Sequence, residues 1–89
     1  MGLANKQALY NDAKVYVQVR ADFFPDGRLR PLQITWRDGR KFPIDRVTQC
    51  RRAAAFRAGG CGIRYTCIIG GNPCHLFYEE GGRWFVEAL

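Results

Sequence analysis

Hydrophobic and polar residues alternate along most of the chain after residue 13, which is the pattern of half-buried β-strands. In VYVQVRADFF, which starts at Val15, a valine or alanine occupies every second position as far as Ala21. The next alternating segment is LRPLQITW, whose apolar residues on one side are Leu32, Ile34 and Trp36. PDGR, between the two segments, is typical of a tight turn, because proline presets φ and glycine accepts a positive φ. The pattern therefore predicts a β-hairpin.

A second turn, RDGR, leads into KFPIDRV, which we expect to form a third strand. If Phe24 lies opposite Leu29 across the first turn, Val19 lies opposite Ile34 and the apolar faces of the two strands coincide. A two-residue second turn would place the phenylalanine of KFPIDRV on the wrong side. A three-residue turn with Gly39 in the left-handed conformation corrects this. Both turns then predict one buried face that runs through three strands.

The later segments complete the predicted fold. GIRYTCII is expected to be a strand, and HLFYEEGGRWFVEAL is expected to be a hairpin that reverses at Gly81 and Gly82. VTQCRRAAAFRAGG is ambiguous, because its first half alternates while its alanines before Gly59 are typical of a short helix. Short strands without helical crossovers predict an all-β domain, a small antiparallel barrel or rolled meander of five to six strands, similar in size to SH3-like and OB-like domains. We expect one short helical turn near residues 52–59.

The chain has 89 residues, of which 47% are hydrophobic, and this is enough for one folded domain. We assign residues 14–89 to this domain and residues 1–13, which show no pattern, to a flexible lead-in. No apolar segment is long enough to span a bilayer, and the N-terminal residues lack the pattern of a signal peptide. We therefore expect a cytoplasmic protein without membrane association, in which the four cysteines are free thiols: Cys50, Cys61, Cys67 and Cys74.

Positive charge is concentrated in the middle of the chain. The net charge is +6, and no Asp or Glu occurs between Asp45 and Glu79. Five arginines lie in this acid-free segment: Arg46, Arg51, Arg52, Arg57 and Arg64. Arginine makes bidentate contacts with phosphate, so the segment predicts an anionic partner, with single-stranded nucleic acid or RNA as the leading candidate. The alternative explanation is the codon usage of a GC-rich genome, which favours arginine, alanine and glycine.

The segment GGCGIRYTCIIGGNPCH holds three cysteines and the only histidine of the chain, but its spacing matches no common site. Zinc ligands usually occur in close pairs such as C-x2-C, and these cysteines form no such pair. A dinucleotide-binding G-x-G-x-x-G would need glycine in place of Tyr65. A catalytic pair would need His75 to face Cys74, whereas successive side chains of a strand point to opposite faces. We therefore expect no metal, no cofactor and no catalytic residue.

Three segments, ITWRDGRKFPIDRV, GIRYTCII and LFYEEGGRWFVE, together resemble a family of small uncharacterised bacterial proteins. In that family a W-x-x-G-R-x-[FY] hairpin, an R-Y strand and a closing hairpin with [FY]-x-E and W-[FY] form a compact β meander. The resemblance covers the chain from about Ile34 onward, while RRAAAFRAGG has no counterpart in the pattern. It implies a β domain of unknown function, with no catalytic residues to carry over.

The sequence thus predicts a non-enzymatic binding module. Small β barrels bind single strands by holding the phosphates in a basic groove and stacking the bases on exposed aromatic residues. The candidate nucleic-acid contacts are the five arginines of the acid-free segment, and the candidate stacking residues are Tyr16 and Phe24. The alternative is a protein-interaction or self-association module that uses the apolar last hairpin, through Phe77, Trp84 and Val86.

Overall fold

The structure is a computed structural model that describes residues 14–54 and 61–87, and these residues form one antiparallel β-sheet. Its strands are β1 (Lys14–Phe23), β2 (Leu29–Thr35), β3 (Lys41–Pro43), β4 (Arg46–Ala54), β5 (Cys61–Ile69), β6 (Asn72–Glu79) and β7 (Arg83–Glu87). Neighbouring strands follow the order β3-β2-β1-β7-β6-β5-β4. The predicted all-β fold is confirmed, with seven strands in place of the expected five to six.

The two edge strands, β3 and β4, follow one another in the chain and are joined only by Ile44 and Asp45. The backbone N–H of Ile44 donates to the carbonyl of Leu32 in β2 at 2.9 Å, and the N–H of Asp45 donates to the carbonyl of Ile68 in β5 at 2.8 Å. Because β2 and β5 lie towards opposite edges, the sheet curls into a half-barrel to bring them together. KFPIDRV, which was expected to form one strand, is divided by this corner.

The second hairpin turn has the predicted geometry. The N–H of Trp36 donates to the carbonyl of Arg40 at 2.7 Å, and the N–H of Gly39 donates back to the carbonyl of Trp36 at 2.9 Å. Gly39 has a φ of +91°, a left-handed conformation that glycine adopts readily. The turn therefore contains three residues, and Ile34 lies opposite Phe42, as expected.

The first hairpin keeps the predicted pairing of Val19 with Ile34 but reaches it by a different register. Phe23 lies opposite Leu29, one residue earlier than predicted, and a β-bulge adds one residue, Leu32, to β2. The one-residue offset at Leu29 and the additional residue Leu32 compensate each other, so Val19 lies opposite Ile34 as predicted. Leu32 does not pack with Ile34 in the interior, contrary to the expectation that both residues share one buried face.

Strand β4 continues as far as Ala54. The helical turn predicted near residues 52–59 is therefore wrong at residues 52–54, where pairing with β5 keeps the backbone extended. The rest of that prediction falls on residues 55–60, which lie outside the described part, as does the predicted lead-in at residues 1–13. Among the described residues there is no helix of the length and apolar character needed to cross a membrane.

The concave side of the half-barrel, which we call the interior face, holds the main hydrophobic cluster. Its buried members come from four strands and are Ile34, Tyr65, Cys67, Leu76 and Trp84. The ring of Trp84 packs against two tyrosines, with its centroid 5.6 Å from that of Tyr65 and 4.7 Å from that of Tyr78. The opposite side of the sheet is called the outer face.

The last hairpin, formed by β6 and β7, carries buried apolar side chains on both faces of the sheet. Leu76 and Trp84 belong to the interior cluster. On the outer face, Phe77 stacks on Phe85 with ring centroids 4.9 Å apart and an interplanar angle of 5°. Since β7 pairs with both β1 and β6, the hairpin joins the β1–β3 meander to the β4–β6 meander. It therefore occupies the middle of the sheet.

A proline at position 45 tests the corner, because it removes the N–H that donates to the carbonyl of Ile68. We expect Asp45→Pro to lower the free energy of unfolding by about 1–3 kcal/mol, measured by urea-induced unfolding, since a backbone acceptor loses its donor. Asp45→Ala keeps the N–H and loses only the exposed hydrogen bond that Asp45 Oδ2 accepts from the N–H of Gly71 at 3.4 Å. It is the matched control, expected within about 0.5–1 kcal/mol of the wild-type protein. Equal losses in the two variants would contradict the role assigned to this hydrogen bond.

Candidate nucleic-acid interface

A bulge in β4 determines which face of the sheet each arginine of this strand occupies. Val47 faces the interior opposite Cys67, so in a regular strand Arg51 would face the interior as well. The register shifts by one residue after Val47, with Thr48 as the additional residue, and the Thr48 hydroxyl donates to a β5 carbonyl at 3.2 Å. The shift turns Arg51 to the outer face, directly opposite Arg64.

The fold brings three of the five predicted arginines to one surface. Arg46, Arg51 and Arg64 share the outer face of β4 and β5 by their register, and we call them the arginine surface. Arg52 has the orientation of the interior face, although its side chain is exposed. Arg57 lies outside the described residues.

No carboxylate of the described residues pairs with the arginine surface. The ion pairs between arginines and carboxylates in the described part of the chain join Arg28 to Asp26, Arg30 to Asp22, Arg40 to Asp38 and Arg83 to Glu79. Arg64 is half-buried, and its Nη2 donates to Oε1 of Gln49 at 3.3 Å. Its Nε is buried and has no hydrogen-bond partner within residues 14–54 and 61–87. The positive charge of this surface is therefore not compensated by the described fold.

The arginine surface continues a row of side chains that crosses five strands on the outer face. In register order the row is Tyr16, Phe85, Phe77, Arg64 and Arg51. Tyr16 contacts Phe85 edge-on with centroids 5.8 Å apart, and the Arg83 guanidinium lies 4.5 Å from the centre of the Tyr16 ring. Phe77 and Phe85 are 0% and 1% exposed. The exposed side chains of the row are therefore those at its ends, Tyr16 and Arg51.

The arginines of the two Asp-Gly turns are engaged locally. Asp26 accepts hydrogen bonds from the backbone N–H of Arg28 at 3.0 Å and from its Nε at 2.7 Å, and Asp38 accepts the same pair from Arg40. The backbone N–H is the main reason that the pKa of each aspartate lies below its ordinary value. The Arg28 guanidinium also lies 5.3 Å from the centre of the Phe24 ring. Phe24, one of the two candidate stacking residues, is half-buried and lies in the turn between β1 and β2. Strands β7 and β6 separate that hairpin from the arginine surface on β4 and β5.

The side chains predicted as an alternative interaction surface lie on both sides of the sheet. Phe77 belongs to the outer face, whereas Trp84 and Val86 belong to the interior face. Trp84 is 7% exposed and Val86 is half-buried. The three side chains therefore form no common exposed patch in the described structure, and the self-association that they were predicted to support stays a prediction.

The interior face of β4, β5 and β6 carries three thiols beside Tyr65. Cys67 lies opposite Cys74, and Cys50 lies opposite Tyr65. Burial raises the pKa of Cys67 to about 12, with further contributions from Cys74 and Cys50. Burial and then the interaction with Cys50 raise the pKa of Tyr65 to about 12 as well. Cys67 and Tyr65 therefore stay neutral in the folded state well above physiological pH.

His75 points away from Cys74, as strand alternation predicts. Cys74 packs against the interior cluster, while Nδ1 of His75 lies 4.0 Å from Oε1 of Glu87. No three His, Cys, Asp or Glu side chains of the described residues are grouped so that they could hold a metal ion. Within the GGCGIRYTCIIGGNPCH segment, Cys67 and Cys74 therefore lie on the interior face of the sheet, and His75 lies on the outer face.

Comparison with known proteins assigns no relative to this chain. No protein family matches it, and no curated protein or solved structure is significantly similar to it. The resemblance to small bacterial β meanders therefore stays a prediction, and the function has to be inferred from the residues of this chain.

Stability is expected to fall at alkaline pH, because Cys67 and Tyr65 are neutral in the folded state. The pKa of the Cys67 thiol rises from its ordinary 9.0 to about 12 on folding. The unfolded chain therefore loses this proton first, so the free energy of unfolding is unaffected by the thiol below about pH 9 and decreases as the pH rises towards 12. We expect Cys67→Ala and Tyr65→Phe each to reduce this slope in urea unfolding from about pH 7 to 11. An unchanged slope in both variants would contradict the burial of these groups.

Proposed function

We propose that the protein binds single-stranded nucleic acid, either DNA or RNA, through the arginine surface. The observation that carries the proposal is the direct opposition of Arg51 and Arg64 on neighbouring strands. Like charges in this position destabilise a sheet, because opposed Cβ atoms are only about 4.5–5.5 Å apart. A phosphate group between the two guanidinium groups relieves their repulsion and offers each of them a bidentate acceptor.

Protection of a sheet edge is the other physical reason to place arginines here. Charged side chains on an edge strand discourage pairing with other chains, and β4 is an edge strand. This explains Arg46 and Arg51 as well as anion binding does. It does not explain Arg64, because β5 is paired on both sides and lies inside the sheet. Arg64 is held by one side-chain hydrogen bond, to Gln49, and its Nε has no partner among the described residues.

A flexible single strand suits this surface better than a duplex. The arginines lie on the flank of a curved sheet, whereas direct reading of a duplex requires an element that enters the major groove. Arg46 and Arg51 lie opposite residues four apart on β5, which is about 13 Å at the usual rise of a strand, a distance that a single strand can follow from one phosphate to another. Tyr16, at the far end of the row, is 38% exposed, but the Arg83 guanidinium lies 4.5 Å from its ring centre, so phosphate contacts and not base stacking carry the proposal.

Self-association through the last hairpin is the second candidate function, and it has less support. An interface of this kind needs exposed apolar side chains on one surface. Phe77 and Trp84 are buried and lie on opposite faces of the sheet. Binding through the arginine surface needs no rearrangement of the sheet, and for this reason we favour it.

Two double variants with equal changes in charge test the proposed function. R46Q/R51Q removes two charges from the arginine surface, and R28Q/R30Q removes two charges from the first hairpin, where each arginine is paired with an aspartate. We expect wild-type affinity for a labelled single-stranded oligonucleotide, measured by fluorescence anisotropy, to fall with added salt, because phosphate contacts release counterions. R46Q/R51Q should reduce the slope of log affinity against log salt by about 1.4, or about 0.7 for each lost phosphate contact. R28Q/R30Q should leave the slope close to the wild-type value.

Two results would contradict the proposed function. Equal losses of affinity in the two double variants would mean that net charge alone attracts the oligonucleotide, without a defined site. The absence of salt-dependent binding to both DNA and RNA strands would overturn nucleic-acid binding altogether. Urea unfolding of each variant verifies that the measured proteins are folded.

A further inference from the structure

A cavity of about 280 Å³ lies between the β2–β3 turn and the β5–β6 turn. Its wall is built from mostly apolar side chains of five different strands, Ile34, Phe42, Ile69, Cys74 and Val86. These side chains belong to the interior face. The cavity is therefore separate from the arginine surface, which lies on the outer face.

The cavity is a space between the strands that their side chains do not fill. Small domains normally fill their interiors with side chains at high packing density. Here two large aromatic residues, Trp36 and Phe42, line the space and are each only half-buried. A preformed, mainly apolar cavity with a few polar groups at its mouth is the usual form of a small-molecule site.

The mouth of the cavity carries positive charge. Arg40 lines it, and its Nε donates to Asp38 at 2.7 Å while its guanidinium lies 5.5 Å from the centre of the Phe42 ring. The terminal nitrogens of Arg40 make no hydrogen bond to another described residue. Arg37 is exposed, lies 5.9 Å from the centre of the Trp36 ring and forms no ion pair within the described part. Arg37 does not itself line the cavity, but the turn beside the mouth holds two arginines and one aspartate, which leaves a net positive charge there.

We propose that this cavity binds a small organic carboxylate with an aromatic or branched aliphatic body. The wall provides apolar contacts for the body of the ligand, and the free guanidinium nitrogens at the mouth provide donors for the carboxylate. Polar groups along the body are disfavoured, because the wall offers few partners for them and an unpaired buried polar group is unfavourable. A nucleobase, which carries donors and acceptors along its edges, fits this wall poorly for the same reason. The site is thus independent of nucleic-acid binding.

A carboxylate and its uncharged analogue test both halves of this proposal. The two tryptophans give separate indole N–H signals in an NMR spectrum, and Trp36 lines the cavity while Trp84 does not. We expect 4-phenylbutyrate at millimolar concentrations to shift the Trp36 signal in a saturable way and to leave the Trp84 signal in place. The alcohol 4-phenyl-1-butanol has the same body without the charge, and should bind about two- to fivefold more weakly, the range for an exposed ion pair.

Two sets of variants locate the binding. Ile69→Phe fills the cavity from β5, and Ile68→Phe, at the adjacent position on the outer face, is its matched control. The first substitution should abolish the saturable shift of Trp36, and the second should keep it. R37Q/R40Q should bind the alcohol as the wild-type protein does and should no longer prefer the acid, because the wall is intact and Asp38 is the charge that remains in the turn.

The proposal is overturned if 4-phenylbutyrate gives no saturable shift of the Trp36 signal in the wild-type protein. Binding that is unchanged in folded Ile69→Phe would also overturn it, since the ligand would then lie elsewhere. Equal binding of the acid and the alcohol by the wild-type protein would refute the carboxylate as the ligand class. This last comparison needs no variant, so the proposal remains testable even if Ile69→Phe does not fold.

Discussion

Two backbone hydrogen bonds at the corner between β3 and β4 are the constraint on which the rest of the structure depends. Ile44 is bonded to β2 and Asp45 is bonded to β5, although the two residues are adjacent in the chain. In a flat sheet β2 and β5 would lie four strand positions apart, a distance of about 19 Å. Adjacent residues cannot bridge that distance, since their Cα atoms are only about 3.8 Å apart. The sheet therefore curls, and its curvature creates an enclosed interior face and an outer face.

The regular parts of the fold could be predicted because their signals are local. Alternation places Val19 and Ile34 on one face, and an Asp-Gly turn with a left-handed glycine places Phe42 opposite Ile34. The corner has no such signal, because no glycine or tight turn marks the step from Ile44 to Asp45. Pro43 does not mark it either, because prolines occur in the edge strand β3 and also in β2 and β6, which are paired on both sides.

The bulges were not predictable from one strand alone, and the candidate site depends on one of them. The charge distribution identified the arginines of the acid-free segment but not the face on which each would lie. Thr48 shifts the register of β4 by one residue, so that Arg51 faces outwards beside Arg64 while Arg52 does not. A bulge forms where both strands pair better with one residue excluded, and this depends on the side chains of the partner strand as well. Counting alternate positions in β4 therefore gives the wrong face after Val47.

Strand β5 can carry an uncompensated arginine on its outer face because its interior face is strongly buried. Tyr65 and Cys67 alternate with Arg64 and Thr66 along the strand and are 2% and 0% exposed. Burial of a large apolar side chain contributes roughly 1.5–3 kcal/mol, whereas a like-charge pair across two strands costs only about 0.2–1 kcal/mol. The interior contacts therefore outweigh the repulsion between Arg51 and Arg64 and hold the two guanidinium groups together without an acid. Because the sheet keeps them in place before any anion arrives, binding would not require the strands to be ordered first.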